Sequence, residues 1–379
     1  MAIATRSPDG STPGKPAKKS KTRRRLLRVT GWSTGLIALA ALVFLAIPSP
    51  IHPLAWNPPP APAATGVLAA NQKLAHADLV TATPDGPEDI TFDAQGRLYT
   101  GDESGIIYRQ SPGGKAERFA DTRGRPNGLR FAPDGHLIVA DTRRGLVSVD
   151  QTGNVTVLTN TAGGKPIALA NELAVAADGT VYFSDSSATA YDDVNLTHEL
   201  LQQRPSGRLL RYDPHSHRTD VLLSGLDLAN GVALAPDQSF VLVNESFRYR
   251  ITRYWLTGPK AGRHDIFADN LPGFPDNLTP VADGTYWVAL YQPRNPNLDR
   301  LQRHPFLKAQ LAKLPSSLLT SSTARASTAL QLDSAGQPLR ALSDTSGHLY
   351  GLTTAVPHDG YLYLGTDHKG SNDVLRYRL

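Results

Sequence analysis

Residues 171–185 read NELAVAADGTVYFSD: a polar side chain, an apolar run, a turn built on Asp178 and Gly179, and a second apolar run. Two runs of strand length around an Asp-Gly turn are the mark of a β-hairpin. The pattern returns at 88–102 (EDITFDAQGRLYTGD), 127–141 (NGLRFAPDGHLIVAD), 230–244 (NGVALAPDQSFVLVN) and 276–290 (DNLTPVADGTYWVAL). Each time the turn residue lies eight positions after the leading polar residue: Gly96 after Glu88, Gly135 after Asn127, Gly179 after Asn171, Gln238 after Asn230, Gly284 after Asp276. Further apolar strands follow most copies, among them GIIYRQS (105–111), GLVSVDQ (145–151), GRLLRYDP (207–214) and YRITRYWL (249–256).

Four strands per unit, repeating at about forty residues, is the spacing of β-propeller blades. A sixth unit reads HLYGLTTAVPHDGYLYLGTD (348–367) followed by VLRYRL (374–379), and it is one outer strand short. Residues 77–82 (ADLVTA) are placed to supply that strand, which closes the ring and leaves no open sheet edge. The expected fold is therefore all-β, a six-bladed β-propeller over residues 68–379. A seventh blade would need a seventh hairpin, and none is visible. A β-sandwich has no reason to repeat a polar residue in fixed register.

The N-terminal part reads differently. Residues 29–47, VTGWSTGLIALAALVFLAI, carry no charge and are long enough to cross a bilayer as a helix. Lys18, Lys19, Lys21, Arg23, Arg24, Arg25 and Arg28 precede them, a basic tail (1–28) that holds an N-terminus in the cytoplasm. The expectation is a single-pass cell-membrane anchor with the propeller on the extracytoplasmic, periplasmic side. A cleaved signal peptide competes, with Ala61-Pro-Ala-Ala64 as its small-residue site, but that site lies far beyond the apolar run. The proline-rich stretch 48–67 should be an extended linker. Residues 1–28 hold nine Lys or Arg and one Asp, while the remainder holds 30 basic and 33 acidic residues. The basic surplus thus belongs to the membrane flank, and no nucleic-acid partner is expected. With no cysteine, disulfides and thiolate metal sites are excluded.

The innermost strand of each blade lines a propeller's channel, so residues in equal register meet near the axis. At that register stand Glu88, Asn127, Asn171, Asn230 and Asp276, with Asn277 beside the last. All bear oxygen, which points to a ring around a hard cation. Ca²⁺ takes six to eight oxygen ligands, whereas zinc would want His or Cys and magnesium would keep waters that such a ring leaves little room for. Any one of these residues alone would ordinarily cap a turn. The sixth unit breaks the register with Leu352, Thr353 and Thr354, where an open sector would admit substrate. A second recurrence, Asp102, Asp141, Asp185 and Asn244 with Glu245, reads as strand-end residues bonding nearby backbone; Asp89 fits either set.

The stretches GPEDITFD (86–93), RPSGRLLRYDP (204–214), LANGVALAPDQSFVLVNESFRYRITRYWLTGPKAG (228–262), LPGFPDNLTPVADGTYWVAL (271–290) and HDGYLYLGT (358–366) resemble the strictosidine synthase-like branch of the SMP-30/gluconolactonase superfamily. The resemblance covers most of residues 85–379, and paraoxonases are more distant kin. It implies a six-bladed propeller with a channel-bound calcium ion held by Glu88, Asn171, Asn230 and Asp276, with Asn277 matching a further paraoxonase ligand. Two departures limit it. Asn127 stands where paraoxonases carry a catalytic histidine. No carboxylate precedes His358-Asp359-Gly360, where the plant synthase uses a glutamate, so strictosidine synthesis is not expected.

The expected activity is hydrolysis of a small-molecule lactone or related ester. Calcium would polarise the carbonyl, Asp276 would act as general base with Glu88 as second candidate, and Asn127 and Asn171 would orient substrate. The alternative is a non-catalytic propeller, locked by calcium, that binds a partner at its rim. Residues 297–319, NLDRLQRHPFLKAQLAKLPSSLL, have helical periodicity. This insertion would be a substrate lid, a membrane-docking face or a stabilising helix, with 191–204 as a second rim element.

Overall fold

A computed structural model of the chain describes residues 10, 32, 35, 36, 38–82, 86–320, 325–367 and 373–379. The chain divides between Pro50 and Ile51. In the first unit, residues 38–46 are helical, while residues 29–31, 33, 34 and 37 of the expected membrane span lie outside the described residues. Among the described residues no helix is long and apolar enough to cross a membrane.

The second unit is the propeller. Six four-stranded antiparallel sheets follow one another along the chain, with inner strands Ile90–Phe92, Pro126–Phe131, Ala170–Val175, Ala229–Leu234, Gly273–Pro280 and Leu352–His358 for blades 1 to 6. Asp78–Ala82 pairs with Asp373–Arg378 as the outer strand of blade 6, Asp78 opposite Arg376, so the two ends of the propeller share one sheet as expected.

Each blade is covered on both faces by its neighbours, which is why second strands such as LIVAD and VYFSD are buried at every position rather than at alternate ones. Leu242 and Ile251 of blade 4 pack on Leu278, Val288 and Leu330 of blade 5, and Tyr99 and Ile107 of blade 1 pack on Leu129, Val139 and Val147 of blade 2. Each such side chain adds about 1.5–3 kcal/mol by leaving water. The fixed eight-residue spacing has a backbone cause. Gly96, Gly135, Gly179 and Gly284 all turn through the left-handed region, at φ 71°, 85°, 84° and 84°, and Gln238 takes the same turn at φ 55°.

The expected helix over 297–319 is three short ones, Pro296–Leu301, Pro305–Leu311 and Ser316–Thr320, inserted between two strands of blade 5. Pro305 and Pro315 are the reason, since proline ends one helix and opens the next. Leu301, Leu311, Ala312 and Leu319 pack against Leu201 of a neighbouring helix, Leu196–Gln202, and against Ile51, while Phe306, Leu307 and Leu318 face solvent.

Of the proline-rich stretch, residues 51–65 form no helix or strand and Gly66–Leu68 is a turn of 3-10 helix, and the stretch is bound to the propeller rather than free. Leu54 N donates to the Gln202 carbonyl (2.9 Å) and Trp56 N to that of Gln302 (3.0 Å). In the other direction, Arg294 Nη2 donates to the Pro59 carbonyl (2.6 Å), Asn270 Nδ2 to that of Pro60 (2.8 Å) and the buried Lys308 Nζ to that of Leu54 (2.6 Å). Lys308 also bonds Gln302 Oε1 at 3.0 Å, and burial pulls its amine down to about 8. Lys308→Met is expected to free this strap at a cost of about 2 kcal/mol, the usual worth of a charge-assisted bond. Limited proteolysis near Leu54–Ala55 checks it: faster cutting than in wild type is predicted, and unchanged cutting contradicts it.

Candidate metal centre

In blades 2 to 5 the pairing of the inner strand slips at the repeated polar residue. Pro126 faces Asp141 but Gly128 faces Ala140; Ala170 faces Asp185 but Leu173 faces Phe183. Ala229 faces Glu245 but Val232 faces Val243, and Pro275 faces Leu290 but Leu278 faces Val288. Each slip is a β-bulge, and a bulge breaks the strict alternation of side chains and re-aims them. Consecutive residues such as Asp276 and Asn277, or Asn171 and Glu172, can then share the inner side of the strand.

Asn244 of the second polar set, and hydroxyls one residue after Asp141, Asp185 and Glu245, bond the backbone at these bulges. Asn244 Nδ2 donates to the Asp276 carbonyl (2.5 Å) and Ser246 Oγ to that of Pro275 (2.6 Å). Thr142 Oγ1 donates to the Arg125 carbonyl (2.9 Å) and Ser186 Oγ to that of Ala229 (2.5 Å). Asp102 and Asp141 accept backbone N–H groups of their own loops, and Asp185 accepts those of Ala168 and Leu169 just ahead of the inner strand, as their strand-end position implies.

Glu88, Asn127, Asn171, Asn230, Asp276 and Asn277 are all buried, none more than 9% exposed. Five of them carry a buried oxygen without a hydrogen-bond partner: Glu88 Oε2, Asn171 Oδ1, Asn230 Oδ1, Asp276 Oδ1 and Asn277 Oδ1. Orphaned acceptors of this kind are costly, and here they recur at the repeated polar position of blades 1, 3, 4 and 5, with Asn277 one residue on. Burial pushes the Glu88 carboxyl up to about 8 against the pull of Arg125, whose Nη1 lies 3.3 Å from Oε2. Burial and then the Glu88 charge push Asp276 well above the carboxylate range, with the Asn230 amide working the other way. Carboxylates of blades 1 and 5 therefore act on one another through one space. Two carboxylates and three carboxamides, all short of partners, match the oxygen chemistry of a hard divalent cation. No group of three His, Cys, Asp or Glu poised for a metal occurs among the described residues. Asn127 differs from the five, because its Oδ1 already accepts from Thr142 Oγ1 (3.2 Å).

Two features were not foreseen. The sixth sector is closed: Thr353 Oγ1 donates to the Glu88 carbonyl (2.6 Å) and Thr354 Oγ1 to Asp89 Oδ1 (3.1 Å), and both threonines are buried. A leucine in the repeat register had read as a gap, but the two hydroxyls beside it stitch blade 6 to blade 1. The other feature is Arg125. It binds Asp367 Oδ2 at 2.7 Å, lies 3.7 Å from Glu103 Oε1, and stacks its guanidinium 5.0 Å from the Tyr191 ring. Tyr191 belongs to the second rim element, and Arg143 covers the same ring at 4.8 Å. The only hint in the sequence was an arginine two places before Asn127. A cavity of about 430 Å³, lined by Phe92, Arg130, Phe131, Val175, Val232 and Leu234 among others, sits at the turn-bearing end of the inner strands, away from the ring.

Residues 171–259 match the family model described as Strictosidine synthase, and residues 66–110 match Strictosidine synthase-like, N-terminal. The chain is 35% identical over 356 residues to adipocyte plasma membrane-associated protein of Salmo salar, covering 87% of this chain and 85% of that one. The human protein of that name is 35% identical over 353 residues, with 86% and 84% covered. The chain belongs to the strictosidine synthase-like family. Strictosidine synthase-like 13 of Arabidopsis thaliana is 36% identical over 260 residues, covering 61% of this chain and 64% of its own.

Among solved structures, a gluconolactonase of Xanthomonas campestris superposes with a TM-score of 0.58 at 20% identity, covering 88% of this chain and 99% of that one. A calcium-binding regucalcin of Agrobacterium tumefaciens gives 0.54 at 14% identity, with 79% and 92% covered. These two share the fold. In this strictosidine synthase-like chain the inner strand of blade 6, Leu352–His358, carries no carboxylate.

Proposed function

We propose that this protein is a calcium-dependent hydrolase of lactones or related esters, held at a membrane by its N-terminal segment. The observation that carries the proposal is the set of five buried oxygens without a hydrogen-bond partner, two of them carboxylate oxygens. Glu88, Asn171, Asn230, Asp276 and Asn277 would hold the ion. Bound there, calcium would supply a Lewis acid for the carbonyl oxygen under attack. Asp276 takes the proton of the attacking water, and Glu88 is the second candidate for that role. Asn127 and Asn171 present amide groups that orient the substrate.

The experiment is an assay of the full chain against a panel of lactones and aryl esters, with calcium and with chelator. Turnover that disappears on chelation and returns with calcium is expected. Binding of calcium without turnover of any panel member would favour the second reading, a calcium-locked propeller without catalysis. That reading draws on a ring that holds no histidine to take a proton. Anchoring has its own test: the chain should stay in the membrane pellet after alkaline carbonate extraction, and release into the supernatant would contradict it.

The raised carboxyls give a pH signature. Without metal, Glu88 keeps its proton in the folded chain from its ordinary 4.5 up to about 8, whereas the unfolded chain has lost it. The folded form binds more protons in that window, so stability falls as pH rises through it. The melting temperature in chelator should therefore drop between about pH 5 and 8. Saturating calcium should abolish that drop, and calcium uptake near pH 6 should release at least about one proton. Titration heats that do not depend on the buffer's ionisation enthalpy would contradict the second point.

A further inference from the structure

One residue beyond Glu88 and Asn171 stand Asp89 and Glu172, both with no exposed surface (0%). Between them reaches Arg130, from the inner strand of blade 2. Its Nη1 donates to Asp89 Oδ2 (2.5 Å) and to the Leu129 carbonyl (2.6 Å), and its Nη2 lies 3.0 Å from Glu172 Oε1. Asp89 also accepts from Leu129 N (2.9 Å) and Thr354 Oγ1 (3.1 Å), and Glu172 Oε1 accepts from Leu173 N (3.1 Å). Glu172 Oε2 has no partner. Three blades thus bring two carboxylates and a carbonyl oxygen around a single positive charge.

Buried carboxylates without a counter-charge are too costly to persist, and losing one partner of such a pair is worse than never having it. We propose that Arg130 is the channel's built-in cation, filling what would otherwise be a second divalent-ion site formed by Asp89, Glu172 and the Leu129 carbonyl. This inference rests on the ring being a metal site, and it adds that the channel takes one ion there and no second. The guanidinium is a charge that a chelator cannot strip, so the layer beneath the ring keeps a counter-charge in metal-free protein. The donor set is hard oxygen, which suits calcium. A way in exists, because the Arg130 side chain is 19% exposed and lines the 430 Å³ cavity at the far end of the channel. Water in that cavity would complete a coordination shell once the guanidinium is gone.

The test is calcium stoichiometry of the purified full chain by titration calorimetry and elemental analysis. Wild type should bind one ion per chain and Arg130→Met two. Adding Asp89→Asn and Glu172→Gln to Arg130→Met should restore one. Arg130→Lys, which keeps a cation, should also bind one. If Arg130→Met folds only in millimolar calcium, the ion is replacing the guanidinium, as proposed. If it stays unfolded in millimolar calcium, or folds and binds a single ion, this inference fails while the ring reading stands. A wild type that binds two ions also overturns it, and a wild type that binds none removes the ring reading as well.

Discussion

Asp276→Asn is expected to lower kcat for any lactone or ester the protein hydrolyses by roughly 10²–10⁴-fold, the usual worth of a positioned general base. The substitution keeps an oxygen in the ring but removes its charge and its capacity to take a proton. Calcium affinity falls as well, so the comparison belongs at saturating calcium. There the kcat deficit should persist while the fold, read by circular dichroism, matches wild type. Full turnover at saturating calcium would take the base role from Asp276 and leave Glu88 to be tested by the same substitution of carboxylate by amide.

Gly231→Ala is expected to be the most damaging small change in the channel. A β-carbon there would run into the Asp276 carbonyl oxygen, with Leu278 N at 2.7 Å and Asn244 Nδ2 at 2.8 Å. Two of these are backbone atoms of blade 5, and the third is held by its own bond to the Asp276 carbonyl. None can give way without shifting the bulge that aims Asp276 and Asn277. Overpacking against fixed atoms costs about 3 kcal/mol. A melting temperature lowered by roughly 5 °C or more, together with weaker calcium binding, is the predicted calorimetric result. A variant as stable as wild type, with calcium binding intact, would show that the inner strands of blades 4 and 5 do not meet as described.

Blade count, closure of the propeller by residues 78–82 and the shared register of the repeated polar residues were legible because each rests on period and register. The turn glycines are forced by left-handed φ, so their spacing survives in the sequence as a fixed interval. Other features had no such carrier. A bulge adds one residue to a strand and leaves no composition signal, so the slips at Asn127, Asn171, Asn230 and Asp276 leave no trace in the residue pattern. The sixth sector was misread because Leu352 occupies the repeat register while the chemistry is done by Thr353 and Thr354 beside it. The insertion was read as one helix because leucine periodicity spoke louder than Pro305 and Pro315. The prolines of 48–67 say nothing of Lys308, Asn270 and Arg294, which reach the strap from more than 200 residues away. Arg125 and Arg130 look like ordinary strand-edge cations until the fold sets them beside buried carboxylates.

The central claim is that side chains of successive blades converge on one divalent ion. Anomalous diffraction from crystals of the full chain grown with calcium tests it most directly. The predicted result is a single channel peak about 2.3–2.6 Å from oxygens of Glu88, Asn171, Asn230, Asp276 and Asn277. A channel without such a peak, or a peak held by other residues, would contradict it.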